Sequence, residues 1–222
     1  MNYVRWLGGK TMNSFGKWSN FYWIGGAACG GKTSITTALA EKHGWILYKC
    51  DEHAKRRKQF STRERTPMLF ELPERPLDDV LLNIPMSQQV EEYKQFLMED
   101  FPLIIEDLQQ FPKDATVIVE GNHLLPHLLP EYIDDPKRAI WITPTKEFYN
   151  AHFYKRKWIL ERVKTASDPE LALHNWALRS ELFVQWIDET VRANHLTLFK
   201  TAGDAQLEDR IAAIEKHWGL LS

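Results

Sequence analysis

Five short apolar stretches interrupt the otherwise polar pattern of the chain. They are Phe21 to Ile24, Trp45 to Tyr48, Thr116 to Val119, Ala139 to Ile142 and Leu196 to Phe199. Each has the length of a strand, and none alternates strictly between apolar and polar positions. Continuous apolar runs are typical of strands covered on both faces, so the pattern predicts buried strands.

Helical periodicity fills the segments between these runs. The clearest case has apolar residues three and four positions apart at Val90, Tyr93, Phe96, Leu97, Ile104, Ile105 and Leu108. Pro102 predicts a kink within that segment. Gly44 predicts the end of an earlier helix, and Asp168 followed by Pro169 predicts the start of a later one. Strands that alternate with helices predict an α/β fold with a parallel sheet.

The spacing of the predicted strands is uneven. About 65 residues separate the second strand from the third, which is room for a helical insertion. The stretch from Arg63 to Pro85 contains four prolines, and we expect it to be loop-rich and mobile. Residues 1–18 have no clear periodicity and are predicted to form a peripheral extension before a domain at 19–222.

Composition and charge place the chain among ordinary globular proteins. It has 222 residues, 44% of them hydrophobic and 26% charged, which excludes a disordered or fibrous protein. A net charge of -2 gives no global reason to bind nucleic acid or an anionic membrane, and neither is expected as a partner. The chain has no signal-peptide pattern and only two cysteines, so we expect a cytoplasmic protein. Nothing in the sequence indicates an oligomeric state.

The strongest motif follows the first predicted strand and opens a helix. It fits the Walker A pattern G-x-x-x-x-G-K-[ST], and the predicted ATP-binding residues are Gly26, Ala27, Ala28, Cys29, Gly30, Gly31, Lys32, Thr33 and Ser34. Glycines let successive amides point at phosphate oxygens, and the helix N-terminus adds partial positive charge. Lys32 is expected to reach the β- and γ-phosphates, and the Thr33 hydroxyl to bind Mg²⁺. The alternative is a glycine-rich turn that packs a helix on a sheet.

Two further features concern this motif. Gly8 to Thr11 repeats its last four letters without the leading glycine or a preceding strand, so it is predicted to be a plain turn. The thiol of Cys29 would lie beside inward-pointing amides and Lys32, which predicts a reactive thiolate. The alternative is that Cys29 packs as a small hydrophobic residue.

Acids follow two of the predicted strands, where ligands of open α/β sheets collect. Glu120 ends the third strand in a Walker B pattern and is the candidate for the metal shell. Asp51 follows the second strand and is the candidate to orient or deprotonate an acceptor hydroxyl. Both acids could instead cap helices, and Glu52 could replace Asp51.

Basic residues suggest where further anions could bind. A cluster between Lys55 and Arg65 includes Arg57, which could hold a phosphate or carboxylate of the acceptor, although a solvated helix face is an equal alternative. The helix predicted after the fourth strand carries Arg156 and is expected to act as a lid. Arg156 and Arg179 are the catalytic candidates for neutralising the γ-phosphate, beside Lys32 and Asp51.

These residues together resemble the P-loop kinases of the nucleoside, nucleotide and shikimate kinase superfamily. Three segments are similar to a little-characterised bacterial family of kinase-like ATP-binding proteins. They are Val119-Glu120-Gly121-Asn122-His123-Leu124-Leu125-Pro126, Pro144 to Phe148 and Asn175 to Arg179. The turn after Glu120 is also similar to one in 2-phosphoglycerate kinases. The resemblance implies a three-layer P-loop NTPase fold with a parallel five-stranded sheet ordered 2-3-1-4-5 and Mg-ATP as donor. It also implies acceptor contacts at Asp51, His53, Gly121, Asn122 and His123.

The resulting hypothesis is a Mg-ATP-dependent kinase whose partner is a small-molecule acceptor. A nucleotide-binding switch or a partner-regulated ATPase, with the insertion as its docking surface, is the rival from another class. A kinase should consume ATP faster with a metabolite, whereas a switch should respond to a macromolecule.

Overall fold

One parallel five-stranded sheet forms the centre of the computed structural model, which describes residues 18–221. Its strands are β1 (Phe21–Gly26), β2 (Ile46–Lys49), β3 (Val117–Glu120), β4 (Ala139–Pro144) and β5 (Thr197–Thr201). Their order across the sheet is β2-β3-β1-β4-β5, which confirms the order implied by the resemblance. All five predicted strands are therefore present, with ends that differ by no more than two residues.

The described part of the chain has nine α-helices around this sheet. They are α1 (Lys32–His43), α2 (Cys50–Lys58), α3 (Pro67–Glu71), α4 (Leu77–Leu81), α5 (Met86–Leu108), α6 (Lys146–Phe153), α7 (Lys157–Val163), α8 (Pro169–Ala193) and α9 (Leu207–His217). Gly44 ends α1 with a φ of 67°, and the Asp168 carboxylate accepts a hydrogen bond from the Leu171 amide at the start of α8. Both helix ends are where the sequence predicts them.

Side chains of the central strands alternate between two apolar layers. Trp23 and Trp141 point to the layer that contains α5 and α8. Ile24 and Ile142 point to the opposite layer, which contains α1 and α9. Because β1, β3 and β4 have a strand on each side and helices above and below, they are buried throughout.

The edge strands depart from the prediction of full burial. Ile46 of β2 is 39% exposed, and most of β5 is only half-buried. An edge strand has a neighbour on one side only, so helices cover it less completely. The prediction of strands covered on both faces is therefore right for the three central strands and wrong for β2 and β5.

The insertion between β2 and β3 consists of α2, α3, α4 and α5. The expectation of a loop-rich stretch from Arg63 to Pro85 is wrong, because α3, a 3₁₀ turn and α4 lie within it. Its prolines sit where helices begin: Pro67 is the first residue of α3, and Pro85 precedes α5. Proline costs no hydrogen bond in a first helical turn, so these prolines start helices instead of excluding them. The mobility of this stretch stays a prediction.

Two helices, and not the single one expected, follow β4. Helix α6 ends at Phe153, and Arg156 caps the start of α7. Buried apolar side chains of α4, α6, α7 and α8 form a third core cluster beside the carboxyl end of the sheet. This cluster attaches the segment after β4 to the insertion after β2.

The first and last described segments of the chain also pack against the domain. The predicted turn at Gly8 to Thr11 and most of the predicted extension lie outside the described residues, whereas Trp18 packs its ring against Phe21 and Trp23. Glu215 of α9 is buried and is bonded by two basic side chains of α1, Lys42 and His43. No helix between residues 18 and 221 combines the length and apolarity needed to cross a membrane.

Candidate functional site

The loop from β1 to α1 follows a path that requires glycine. Gly26 has a φ of 124°, and a Cβ atom there would lie 2.0 Å from the carbonyl oxygen of Ile142 in β4. A Cβ atom at Gly30 would lie 2.7 Å from the same oxygen. Both distances are shorter than any tolerated contact, so the loop packs directly against the backbone of β4.

The first backbone amides of α1 precede the hydrogen-bond ladder of the helix. The first amide bonded in the ladder of α1 is that of Ile35, which donates to the Gly31 carbonyl at 3.2 Å. Within residues 18–221, the amides of Gly31, Lys32, Thr33 and Ser34 have no hydrogen-bond acceptor. Four unpaired amides at a helix N-terminus are a binding site for anionic oxygens.

Lys32 is buried beneath the loop and has two oxygen partners. Its Nζ atom donates to the Ala27 carbonyl at 2.7 Å and to Asn122 Oδ1 at 2.9 Å. The Asn122 amide in turn donates to the Tyr93 hydroxyl at 3.2 Å, which links the loop to the insertion. Burial lowers the pKa of Lys32, and the nearby carboxylates of Glu120 and Asp51 oppose that effect.

Thr33 and Glu120 form the part of the site that could hold a metal. The Thr33 hydroxyl donates to Glu120 Oε1 at 3.0 Å, at the carboxyl end of β3. Burial raises the pKa of Glu120, while Lys32 and the Thr33 hydroxyl lower it. A hydroxyl and a carboxylate beside unpaired amides are hard oxygen donors, which suit Mg²⁺ bound together with phosphate.

A cavity of about 400 Å³ opens in front of these groups. Its polar lining consists of the loop from Ala28 to Ser34 with Asp51, Glu120, Gly121, Asn122, Arg156, Arg179 and Ser180. Tyr93, Phe153, Trp158, Ile159 and Trp176 form its apolar walls. The cavity therefore collects residues from the loop after β1, the end of β3, the insertion and the helices after β4, as expected for a ligand at the carboxyl ends of parallel strands.

Asp51 and Glu52 lie in different surroundings although they are adjacent in the chain. Both belong to the first turn of α2, but only Asp51 lines the cavity. Glu52 forms an exposed ion pair with Lys49, with 2.9 Å between Nζ and Oε1. The structure therefore favours Asp51 of the two acids considered for the acceptor hydroxyl.

Arg156 and Arg179, the arginines predicted to neutralise the γ-phosphate, both line the cavity, and that role stays a prediction. Arg179 is 7% exposed, and its guanidinium lies over the rings of Tyr93 at 5.0 Å and Trp176 at 5.6 Å. Within residues 18–221 it has no ion pair, and its Nε atom has no hydrogen-bond acceptor. Burial lowers its pKa, and a buried guanidinium without a carboxylate is a site for an anionic ligand.

Arg57 does not lie in the cavity, contrary to the prediction that it contacts the acceptor. Its guanidinium is 1% exposed and makes a bidentate pair with Asp100, with Nε–Oδ1 at 2.8 Å and Nη2–Oδ2 at 2.6 Å. Two further N–H groups donate to the Tyr48 hydroxyl and the Cys50 carbonyl. Four of its five N–H donors, spread over all three guanidinium nitrogens, are already engaged, so Arg57 fastens α2 to α5.

Three other members of the basic cluster form ion pairs within the insertion. Arg56 pairs with Asp107, Lys58 with Glu74, and Arg63 with Glu71. Lys55, Arg56, Arg63 and Arg65 are exposed, so apart from buried Arg57 the alternative of a solvated face describes the cluster better than an anion site does.

The two histidines expected at the acceptor also lie outside the cavity lining. His53 stacks on Tyr48 with 4.4 Å between ring centroids, on the far side of α2. His123 is buried, with Nε2 3.3 Å from Asp100 Oδ2 and Nδ1 3.9 Å from Asp51 Oδ1. Burial lowers the pKa of His123 although both carboxylates raise it, so this histidine is a neutral group behind Asp51.

Cys29 departs from the expectation of a reactive thiolate. Burial raises the pKa of its thiol more than Arg156 and Lys32 lower it. The side chain packs against the third core cluster, although the residue still lines the cavity. The alternative of a small hydrophobic residue therefore describes Cys29 better.

Several residues of the site have no motif that could reveal them in the sequence. Tyr93 appears there only as one apolar position of α5, and Trp176 only as part of the resemblance. Arg210 of α9 and Thr201 of β5 lie more than 160 residues from the loop that they contact, at the Gly30 carbonyl. Such contacts depend on the packing of α9 and not on local spacing.

Comparisons with known proteins support the fold and assign no family. No protein-family model matches the chain, and no curated protein does. Shikimate kinase from Acinetobacter baumannii, in complex with shikimate, is 14% identical with a TM-score of 0.51, over 94% of this chain and 98% of that one. TT1252 from Thermus thermophilus is 18% identical with a TM-score of 0.49, over 91% and 97% of the two chains. The likeness to the shikimate kinase covers nearly the whole chain, and the chain therefore has the fold of the P-loop small-molecule kinases.

Proposed function

We propose that this protein is a kinase that transfers the γ-phosphoryl group of Mg-ATP to a hydroxyl group of a small metabolite. The observation that carries the proposal is the composition of the cavity. Unpaired amides of α1, Lys32 and the Thr33–Glu120 pair lie on one wall, and Asp51 lies in the same cavity. A phosphate-binding wall and a carboxylate placed for a hydroxyl acceptor are the two parts that phosphoryl transfer requires.

Each residue of the proposed donor side has a defined task. The amides and Lys32 bind phosphate oxygens of ATP, and their positive potential stabilises charge on the transferred group. Thr33 and Glu120 would hold Mg²⁺, which would supply positive charge to the phosphates of ATP. Glu120 then stays ionised in spite of its burial, because a nearby cation favours the carboxylate form.

Asp51 is assigned to the acceptor side. It accepts a hydrogen bond from the acceptor hydroxyl, orients the oxygen towards the γ-phosphate and takes the proton as the bond forms. Gly121 and Asn122 contact the acceptor from the same side of the cavity. Arg179 and Arg156 neutralise the anionic groups between donor and acceptor, and the unpaired guanidinium of Arg179 favours an acceptor that is itself anionic.

The apolar walls support a small acceptor over a macromolecular partner. Tyr93 and Trp176 enclose the cavity around Arg179, and Trp158 stands at its rim with 55% of its surface exposed. Side chains in this arrangement leave room for a ligand of metabolite size in a cavity of about 400 Å³. The rival function of a switch would require ATP hydrolysis that responds to a macromolecule and not to any metabolite.

The test is a screen of ATP consumption against hydroxyl-bearing metabolites, followed by substitution of the two adjacent acids. Asp51→Asn should lower transfer by ~10²- to 10⁴-fold and leave Mg-ATP binding intact. Glu52→Gln is the matched control, since Glu52 pairs with Lys49 outside the cavity, and its transfer rate should stay normal. Near-normal transfer by Asp51→Asn would remove Asp51 from the mechanism. Failure of the wild type to bind Mg-ATP would refute the proposed function itself.

A further inference from the structure

Two side chains from the carboxyl-terminal part of the chain bind one carbonyl group of the loop between β1 and α1. The Gly30 carbonyl oxygen accepts a hydrogen bond from Arg210 Nη2 at 2.8 Å and another from Thr201 Oγ1 at 2.7 Å. Arg210 Nη2 also donates to Thr201 Oγ1 at 2.6 Å, so the three groups form a closed triangle. Arg210 comes from the first turn of α9 and Thr201 is the last residue of β5. Two elements distant in the chain thus meet at one peptide of the loop.

The geometry of a peptide unit connects this triangle with the cavity. In a planar trans peptide the C=O and N–H bonds point in opposite directions. The Gly30 carbonyl and the Gly31 amide belong to the same peptide unit, so fixing the carbonyl towards Arg210 fixes the amide on the opposite side. Gly31 lines the cavity, and its amide has no acceptor among residues 18–221.

Close contacts leave this peptide few alternatives. Gly31 has a φ of 81°, and a Cβ atom there would lie 2.8 Å from Arg210 Nη1. Arg210 is half-buried and makes no ion pair with a carboxylate in the described part of the chain. Partial burial of a guanidinium costs solvation free energy, and the hydrogen bond to the Gly30 carbonyl offsets that cost, which indicates a role for Arg210 at this carbonyl.

We propose that Arg210, supported by Thr201, is a positioning residue for nucleotide binding: it holds the Gly30–Gly31 peptide so that the Gly31 amide points at a phosphate of ATP. It also polarises that peptide, because a carbonyl bonded to a cation makes the amide of the same unit a stronger donor. Arg210 does not touch the nucleotide phosphates and acts only through the peptide. The inference rests on the proposed function in one respect, which is that the loop binds nucleotide.

The decisive measurement is the dissociation constant of Mg-ATP by titration calorimetry. Arg210→Met removes the donor and the charge but keeps much of the side-chain volume, and we expect the constant to rise about 10-fold, or about 1.4 kcal/mol. Arg210→Lys restores one charged donor and should recover part of that loss. Lys216→Met on the same helix removes an exposed charge and should leave the constant unchanged. Melting temperatures of all variants without nucleotide separate positioning from loss of fold.

A second variant keeps the test decisive if Arg210→Met does not fold. Thr201→Val removes only the bridging hydroxyl, with nearly equal volume, and should weaken Mg-ATP binding about 3-fold, or about 0.7 kcal/mol. In the double variant the two effects should not add, since both side chains act on one carbonyl.

The outcomes distinguish this inference from the proposed function. Weaker binding in Arg210→Met with an unchanged melting temperature, partly restored by Arg210→Lys, supports the positioning role. Wild-type affinity in both Arg210→Met and Thr201→Val overturns it and leaves the proposed function intact. Equal losses in Arg210→Lys and Arg210→Met also overturn it. Failure of the wild type to bind Mg-ATP overturns both.

Discussion

The buried pair between Arg57 and Asp100 offers a sharp test of the reasoning, because the sequence suggested a ligand-binding role for this arginine. Both side chains are 1% exposed, and two charged hydrogen bonds join them. Asp100→Asn removes the negative charge. It also replaces one carboxylate oxygen by an NH₂ group, so that two donors face each other where Arg57 had an acceptor. Asp107 forms a longer ion pair with Arg57, with 3.9 Å between Nη1 and Oδ2, and does not supply the two charged hydrogen bonds that are lost.

The expected cost follows from the burial of the arginine. Removal of one partner of a buried ion pair leaves an uncompensated charge and costs about 3–5 kcal/mol. A protein of this size loses roughly 2–4 °C of melting temperature for each kcal/mol, so the loss should be about 6–20 °C. The free energy of unfolding can be measured by urea titration with tryptophan fluorescence.

Two companion variants define the result. Glu71→Gln breaks the exposed pair with Arg63 in the same insertion and should cost at most about 1 kcal/mol. Arg57→Met combined with Asp100→Leu replaces the ion pair by apolar groups and should recover much of the stability lost by Asp100→Asn. A loss below about 1 kcal/mol in Asp100→Asn would show that Arg57 is not desolvated, and the ligand-binding interpretation would regain its basis.

Three further predictions concern the loop and the packing of α1 on α9. Lys32→Ala should keep the fold but weaken Mg-ATP binding by about 10-fold or more, as calorimetry would reveal, because a charged donor to phosphate is lost. The raised pKa of Cys29 predicts slow alkylation at neutral pH, faster labelling as the pH rises, and almost none of buried Cys50; peptide mapping after brief iodoacetamide treatment decides this. Burial raises the pKa of Glu215, but the hydrogen bonds from Lys42 and His43 have the larger effect, so the pKa of Glu215 is lowered. The stability contributed by Glu215 is therefore present above its unfolded pKa of about 4.5 and is lost as pH falls below that value. In Glu215→Gln, the free energy of unfolding should depend less on pH between about pH 5 and pH 3 than in the wild type.

Local patterns were sufficient to predict the framework of the fold. Gly44 and Asp168 end and begin helices through contacts within four residues, so their roles are visible in the sequence. The same holds for Lys32 and Thr33, because a fixed spacing after a strand places both at the helix start. Strand order is not local, and it was predicted only through the resemblance to a family.

Contacts between distant segments could not be predicted in this way. Six basic residues lie between Lys55 and Arg65, and nothing in their order shows that Arg57 is the one that turns inward to Asp100. The half-buried position of Cys29 depends on the third core cluster, whose members come from segments distant in the chain. Arg210 reaches the loop only because the packing of α9 against α1 places it there.

The hydrogen bond between Lys32 and Asn122 has a consequence for the energetics of ligand binding. Lys32 has three N–H donors and two oxygen partners inside the protein, so a phosphate that reaches Nζ adds one hydrogen bond, or also replaces the neutral Asn122 amide oxygen. In either case the main gain is Coulomb energy, because an anion attracts the ammonium group more strongly than a neutral amide oxygen does. Affinity at this lysine should therefore depend on ionic strength more than on the number of bonds. The dissociation constant of Mg-ATP should rise steeply when salt is added, and Asn122→Ala, which frees the ammonium group from its neutral partner, should bind Mg-ATP at least as tightly as the wild type.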